Sequence, residues 1–163
     1  MSFENKTIIV TGGAKGIGRA CAEIFHHKKG NVVILDIDEK GAGFEKEFGE
    51  KALFIKTDIT KENEVKKAME QIESRFGSID VLINNAAIQY YSTVTESTVE
   101  EWDNTFAVNL KGGFICAKYA IPAMQRKGKG VIINMSSVQA FVTQKQVAAY
   151  ATSKAAQIGL TRS

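Results

Sequence analysis

The sequence is short of the residues that mark secreted, metal-bound or many-part proteins. Its 163 residues include two cysteines and a single proline. Cys21 and Cys116 are far apart and lack metal-like spacing, so both are read as reduced, buried thiols and no metal is expected. Pro122 is the only proline, and no repeat, low-complexity tract or linker divides the chain. At ~100–200 residues per domain, one domain over residues 1–163 is expected. Long apolar runs are also missing: Ile8–Val10 and Val32–Leu35 fall far short of the ~18 residues of a membrane span. Met1–Lys6 has neither a basic region nor an apolar stretch, so no secretory signal is expected and the cytoplasm is the expected compartment. Charge of one sign is scarce too. The 21 Lys+Arg against 18 Asp+Glu leave a net charge of +3. The densest basic cluster, Arg126-Lys127-Gly128-Lys129, is too small to serve as a nucleic-acid footprint. With 44% apolar and 24% charged residues, the chain has the makings of an ordinary core, and disorder is excluded as its main state.

What is present is an alternation of hydrophobic period. Lys6–Thr11, Asn31–Asp36, Ala52–Lys56, Asp80–Asn84 and Gly130–Ser136 are five short runs, apolar nearly throughout, as strands buried on both faces should be. Helix-period segments separate them. Ile17, Cys21, Ile24 and Phe25 share one face, as do Val65, Ala68, Met69, Ile72 and Phe76. Trp102, Phe106, Leu110, Phe114, Ala117, Ile121 and Met124 keep the helical rhythm for about six turns. Thr60, followed by Glu62 and Glu64, predicts the start of the helix after the third strand. Ala148–Leu160 reads as a last helix. Repeated strand–helix alternation implies a doubly wound, Rossmann-like α/β fold with a parallel sheet. In such sheets ligands sit beyond the carboxyl ends of the strands, where strand order reverses.

The first strand–helix turn is Thr11-Gly12-Gly13-Ala14-Lys15-Gly16-Ile17-Gly18. Glycines there allow a tight turn and let a pyrophosphate approach backbone N–H groups at the positive end of a helix. A P-loop is excluded: Gly13 and Gly18 have its spacing, but Arg19 and Ala20 follow, leaving no hydroxyl for Mg²⁺. The second strand ends at Asp36, eighteen residues after Gly18, where a carboxylate meets a ribose 2′-hydroxyl and repels a 2′-phosphate. That favours NAD over NADP. Tyr150 and Lys154 are neighbours on one helix face. A phenol is a poor base at neutral pH, but a nearby cation favours its phenolate, and such a pair can exchange a proton with an alcohol or carbonyl oxygen. Ser136 and Ser137 close the fifth strand, on the ligand side of the sheet.

Together these motifs resemble the classical short-chain dehydrogenase/reductase family over the whole chain. Asn84-Asn85-Ala86-Ala87 is similar to the family's Asn-Asn-Ala-Gly stretch, with Ala87 in place of the glycine. The resemblance implies that Gly12, Lys15, Gly16, Ile17, Gly18, Asp36, Asp58, Ile59, Asn84, Asn85, Tyr150 and Lys154 contact the dinucleotide, with Asp58-Ile59 at the adenine. It implies a catalytic four of Asn109, Ser137, Tyr150 and Lys154, with Ser137 preferred to Ser136 because it stands thirteen residues before the tyrosine. Ser137 would hold the substrate oxygen and Tyr150 would exchange its proton. Lys154 would assist the tyrosine and bind the nicotinamide ribose, and Asn109 would kink the long helix and hold a water. Lys15 resembles a basic position used for a 2′-phosphate, but Asp36 outweighs it, so NAD is expected ahead of NADP. Within the family, Ser136–Ala140 and Tyr150–Lys154 look most like aldohexose or glucose dehydrogenases, and Gln139, Gln144 and Gln146 are candidates to bond a polyol.

The implied activity is hydride transfer between a nicotinamide cofactor and a secondary alcohol, sugar hemiacetal or ketone. The alternatives are a catalytically silent dinucleotide-binding module and an NADPH-dependent reductase of a carrier-bound 3-oxoacyl group, which would use Arg126–Lys129 on an acidic partner. The resemblance also implies a homo-oligomer joined through helices near 101–126 and 148–162. Family members continue through further strands, so the chain is expected to stop inside the helix carrying Tyr150.

Overall fold

The computed structural model describes residues 2–163. Five strands, β1 (Thr7–Thr11), β2 (Asn31–Asp36), β3 (Ala52–Lys56), β4 (Val81–Asn84) and β5 (Val131–Asn134), form one sheet in the order β3-β2-β1-β4-β5. Every pairing is parallel, with Thr7 opposite Asn31 and Ile8 opposite Val81. Strand order therefore reverses at β1. The chain runs outward through β2 and β3, then returns to lay β4 on the other side of β1.

Alternation along the strands supplies both faces. Ile8, Val10, Val32 and Ile34 meet Ala22 of helix α1 (Gly16–His27) and Phe44 of the short α2 (Ala42–Phe48). Ile9, Val33 and Leu35 meet Val65, Met69 and Ile72 of α3 (Glu62–Phe76), and Ile115, Cys116 and Ala120 of α5 (Gly113–Arg126). The central strand residues are fully buried, each worth ~1.5–3 kcal/mol of transfer from water. Two further helices lie nearer the site. Helix α4 (Val99–Phe106) opens with a capping box between Thr98 and Glu101, and α6 (Ala148–Arg162) packs on it. A π segment, Ala107–Gly112, joins α4 to α5.

Four expectations change. The helical run over 99–126 is continuous and widens into a π turn around Asn109, where a kink was expected, but its apolar rhythm does not mark one buried face, since Trp102, Phe114 and Ile121 face outward. On α1 the fully buried residues are Gly18 and Ala22; Cys21 and Phe25 pack against the core half-buried, as expected, while Ile17 and Ile24 are exposed. The cause is steric. A Cβ on Gly18 would lie 2.3 Å from the Gly12 carbonyl oxygen, so the helix sits down on its smallest side. Strand β5 is not buried on both faces, since Val131 is 53% and Ile133 40% exposed at the sheet edge. Finally, Thr60 does not cap α3: Lys61 stands at the N-cap position with no side-chain cap bond, and the Thr60 hydroxyl donates to the Asp58 carboxylate instead. The Cys116 thiol is buried as expected, and that burial pushes its pKa up to about 12.

Candidate active site

The order reversal at β1 opens a cleft of about 630 Å³ between the glycine turn and the segment after β4. The turn takes its shape from its surroundings. Gly12 has φ +65°, and a Cβ there would lie 2.8 Å from the Ala86 Cα. The Thr11 hydroxyl accepts the N–H groups of Asn85 and Ala86, and the Asn85 amide donates to the carbonyls of Thr11 and Gly12. One threonine and one asparagine thus lock the two sides of the switch point together. Beside Gly16 nothing lies within 4 Å of the Cβ position, so the start of α1 faces open space.

Gly12, Lys15, Ile17, Asp36, Asp58, Ile59 and Asn85 line this cleft, together with Ala86, Ala87, Ile88 and Val108. Asp36 is tied into the turn: its carboxylate accepts the Ala14 N–H at 2.9 Å and the Asp38 N–H at 3.0 Å. Lys15 is the exposed N-cap of α1. Asp58 accepts from the N–H and hydroxyl of Thr60. Asn84 is placed elsewhere. It is buried, and its amide donates to the Gly113 carbonyl and to the Asn134 side chain, tying β4 to β5 and α5. Ala87, where the resembling motif has glycine, is not among the residues with positive φ, so its methyl costs the backbone no strain.

Of the four residues expected to be catalytic, Asn109 is on the π segment, Ser137 follows β5, and Tyr150 and Lys154 are on α6; none of them is among the residues lining the cleft. The two serines are distinguished by their partners. Ser136 donates to the Lys154 carbonyl and so fastens α6 to the end of β5, whereas the Ser137 oxygen accepts the Gln139 N–H and keeps its own proton to donate. Asn109 is buried on the π segment. Its side chain accepts the Ile88 N–H at 2.8 Å and donates to the Ile88 carbonyl at 2.9 Å and to the Ser153 hydroxyl at 3.0 Å. It therefore pins the cleft wall to α6. Lys154 is buried, with its ammonium 2.6 Å from the Met135 carbonyl and 5.6 Å from the Tyr150 ring centroid. Burial lowers its pKa to about 8, and no carboxylate bonds it among the described residues.

Sequence reasoning overlooked Thr11, Ser153 and Gln157 as supports of this site. Gln157 had a readable signal, lying three residues after Lys154 on the same helix face. The three glutamines proposed for a polyol fare unequally: Gln139 accepts from Thr143 at 3.4 Å, while Gln144 and Gln146 are exposed. The basic cluster Arg126–Lys129 is at the opposite end of the sheet, where Arg126 pairs with Glu73 and Lys127 with Asp80. A separate apolar groove of about 680 Å³ lies away from the chemistry, between α4, the π segment, α5 and α6, lined by Phe106, Leu110, Phe114 and Leu160. No helix among the described residues is long and apolar enough to cross a membrane, and no group of three or more His, Cys, Asp or Glu among them could hold a metal.

Comparison with known proteins agrees with this arrangement. An "Uncharacterized oxidoreductase" of Thermotoga maritima is 41% identical over 99% of this chain and 64% of its own length. The 2,5-dichloro-2,5-cyclohexadiene-1,4-diol dehydrogenase of Sphingobium indicum is 41% identical over 98% of this chain and 65% of its own. The ligand-free structure of Thermoplasma acidophilum aldohexose dehydrogenase superposes with a TM-score of 0.90 at 40% identity, covering 98% of this chain and 60% of that one. The chain thus spans less than two thirds of the length of each of these relatives. The short chain dehydrogenase family model matches residues 6–163, so the strand-order switch, the glycine turn and the tyrosine–lysine helix all fall within the match, and the chain belongs to that family.

Proposed function

We propose that residues 1–163 form one dinucleotide-binding and catalytic unit of an oxidoreductase. It transfers hydride between NAD and a secondary alcohol, a sugar hemiacetal or a ketone. The observation that carries this reading is that the Asn109 side chain bonds both Ile88, in the wall of the cleft that begins at the glycine turn, and Ser153 of α6, the helix on which the Lys154 ammonium lies 5.6 Å from the Tyr150 ring centroid.

The residues fit a dinucleotide. Gly16 leaves open space at the positive end of α1, and Gly12 and Gly18 stand where a Cβ would collide with the opposing backbone. Gly12, Lys15, Gly16, Ile17 and Gly18 would hold the pyrophosphate, Asp36 the adenosine ribose, and Asp58 and Ile59 the adenine. Asn85 would act by bracing the turn, and Tyr150 and Lys154 would face the nicotinamide ribose. The bound cofactor supplies the hydride acceptor or donor. Ser137, with a hydroxyl proton to give, orients the substrate oxygen, and Tyr150 exchanges the proton on it. Lys154 presents its ammonium beside the Tyr150 ring, where it would also hold the nicotinamide ribose. Asn109 holds the Ile88 segment against α6, which keeps the cleft wall in register with that helix.

NAD is favoured because the Asp36 carboxylate lines the cleft, fixed by two backbone donors, whereas Lys15 is at the exposed rim. Asp36→Ala should shift preference toward NADP by about tenfold, or ~1.4 kcal/mol, in a binding titration with both dinucleotides. Tighter NADP binding by the unsubstituted protein would hand the site to Lys15 instead. A sugar substrate is supported by the aldohexose dehydrogenase neighbour, and a ring alcohol by the cyclohexadienediol dehydrogenase relative. Assaying NADH formation with an aldohexose panel and a cyclic diol panel separates them, and dinucleotide binding without turnover on either would favour a silent module. Carrier-bound acyl substrates gain no support, because Arg126 and Lys127 are already paired far from Tyr150. The apolar groove beside α4 and α6 is the surface we assign to self-association in a soluble, cytoplasmic homo-oligomer.

A further inference from the structure

Lys154 is a buried cation whose bonded partners are all neutral. Its ammonium donates to the Met135 carbonyl at 2.6 Å and, more weakly, to the Gln157 amide oxygen at 3.4 Å. Gln157 is itself 3% exposed, and its amide nitrogen donates to the main-chain carbonyl of Asn109 at 2.6 Å. The chemistry leaves this amide one orientation. A backbone carbonyl can only accept and an ammonium can only donate, so the nitrogen must face Asn109 and the oxygen must face Lys154. The acceptor is on the π segment, where the wider turn lets a side chain reach a helix carbonyl.

We propose that Gln157 is a positioning residue for Lys154, a neutral bridge that ties the lysine ammonium to the Asn109 carbonyl of the π segment. Asn109 then serves the site twice. Its side chain holds the cleft wall at Ile88, and its backbone, through Gln157, aims a dipole at the lysine. A simple filling role explains the volume of Gln157 but not its two directed bonds. Leucine would fill much of the space but could neither donate to the Asn109 carbonyl nor accept from the ammonium. The groups facing Lys154 are the Tyr150 phenol ring on its own helix, the Met135 carbonyl after β5 and, across Gln157, the π-segment backbone; Tyr150 is the only titratable one among them.

The proposal rests on reading Lys154 as a working group of the site, so its test reads the lysine directly rather than turnover. The whole protein, labelled at lysine ¹³Cε, is titrated by NMR as the unsubstituted form, Gln157→Leu and Gln157→Glu. In Gln157→Glu a carboxylate replaces the neutral oxygen beside the ammonium and should raise the Lys154 midpoint by about 1–3 pH units. Gln157→Leu should move it down, by removing an acceptor from the charged form. A merely structural glutamine would change melting temperature in both variants without moving the midpoint in opposite directions. In the unsubstituted protein the Gln157 amide protons should exchange with solvent far more slowly than those of exposed Gln144. An unmoved midpoint in Gln157→Glu, or Gln157 exchange as fast as that of Gln144, overturns the proposal.

Discussion

Two charged side chains are buried at opposite ends of the sheet, and they are treated in opposite ways. Asp80, just before β4, accepts from Lys127, Lys6, Ser78 and the Thr7 N–H. Burial alone would push its pKa up, but these four donors outweigh it and hold the carboxyl at about 2. Lys154, beyond the carboxyl end of β5, has neutral carbonyls for partners, and burial wins: its pKa falls to about 8. A charge surrounded by partners stabilises the fold. A charge left short of them costs stability and is ready to respond to a neighbour's ionisation.

The sharpest way to separate the two ends is to remove function without touching structure. Tyr150→Phe, made in a complete chain, should lose ~10²–10⁴-fold in turnover while still folding and binding the dinucleotide. Steady-state rates beside a thermal melt check this, and retention of more than about a hundredth of the rate would remove Tyr150 from proton exchange. At the other end, Asp80→Asn should leave dinucleotide binding intact and destabilise the protein by about 2 kcal/mol at neutral pH. The sign follows from the lowered pKa: the stabilisation is present above the unfolded-state value near 4 and fades as pH falls toward 2. Urea unfolding at several acidic pH values should therefore show the two proteins converging. The smallest effect is the most diagnostic. Lys154→Met should leave stability at pH 7 unchanged or slightly raised, since an unpaired buried charge is replaced by an apolar chain. The unsubstituted protein sheds that lysine proton more readily folded than unfolded, so its stability should rise from about pH 8 toward pH 10.5, and the variant should lack that rise. A destabilisation by Lys154→Met as large as that of Asp80→Asn would erase the contrast.

What could be read from the sequence follows the range of the interactions. The strands, the glycine turn and the Tyr150–Lys154 helix depend on residues a few positions apart, and the structure has each of them where local patterns put it, with β5 shorter than the expected Gly130–Ser136. The preference for Ser137 over Ser136 gains a physical reason in their different hydrogen bonds. The buried face of α1 was misjudged because hydrophobicity favoured Ile17 and Ile24, while the close approach of Gly18 to Gly12 decided the matter. Asp80 gave no local sign, because Lys6 and Lys127 reach it from 74 and 47 residues away. Gln157 gave half of its role away, being three residues after Lys154 on one helix face, but its Asn109 partner is 48 positions earlier.

The clamp of Thr11 and Asn85 across the switch point bears on temperature as well as geometry. A flexible glycine loop would have to be frozen by each incoming ligand, at roughly 1–2 kcal/mol of backbone entropy per residue. Here the turn is frozen when β1 pairs with β4, so that loss occurs once per folding event and not once per encounter. Dinucleotide affinity then becomes a local reading of global order. It should hold nearly level as the protein warms and fall steeply only when β4 detaches from β1.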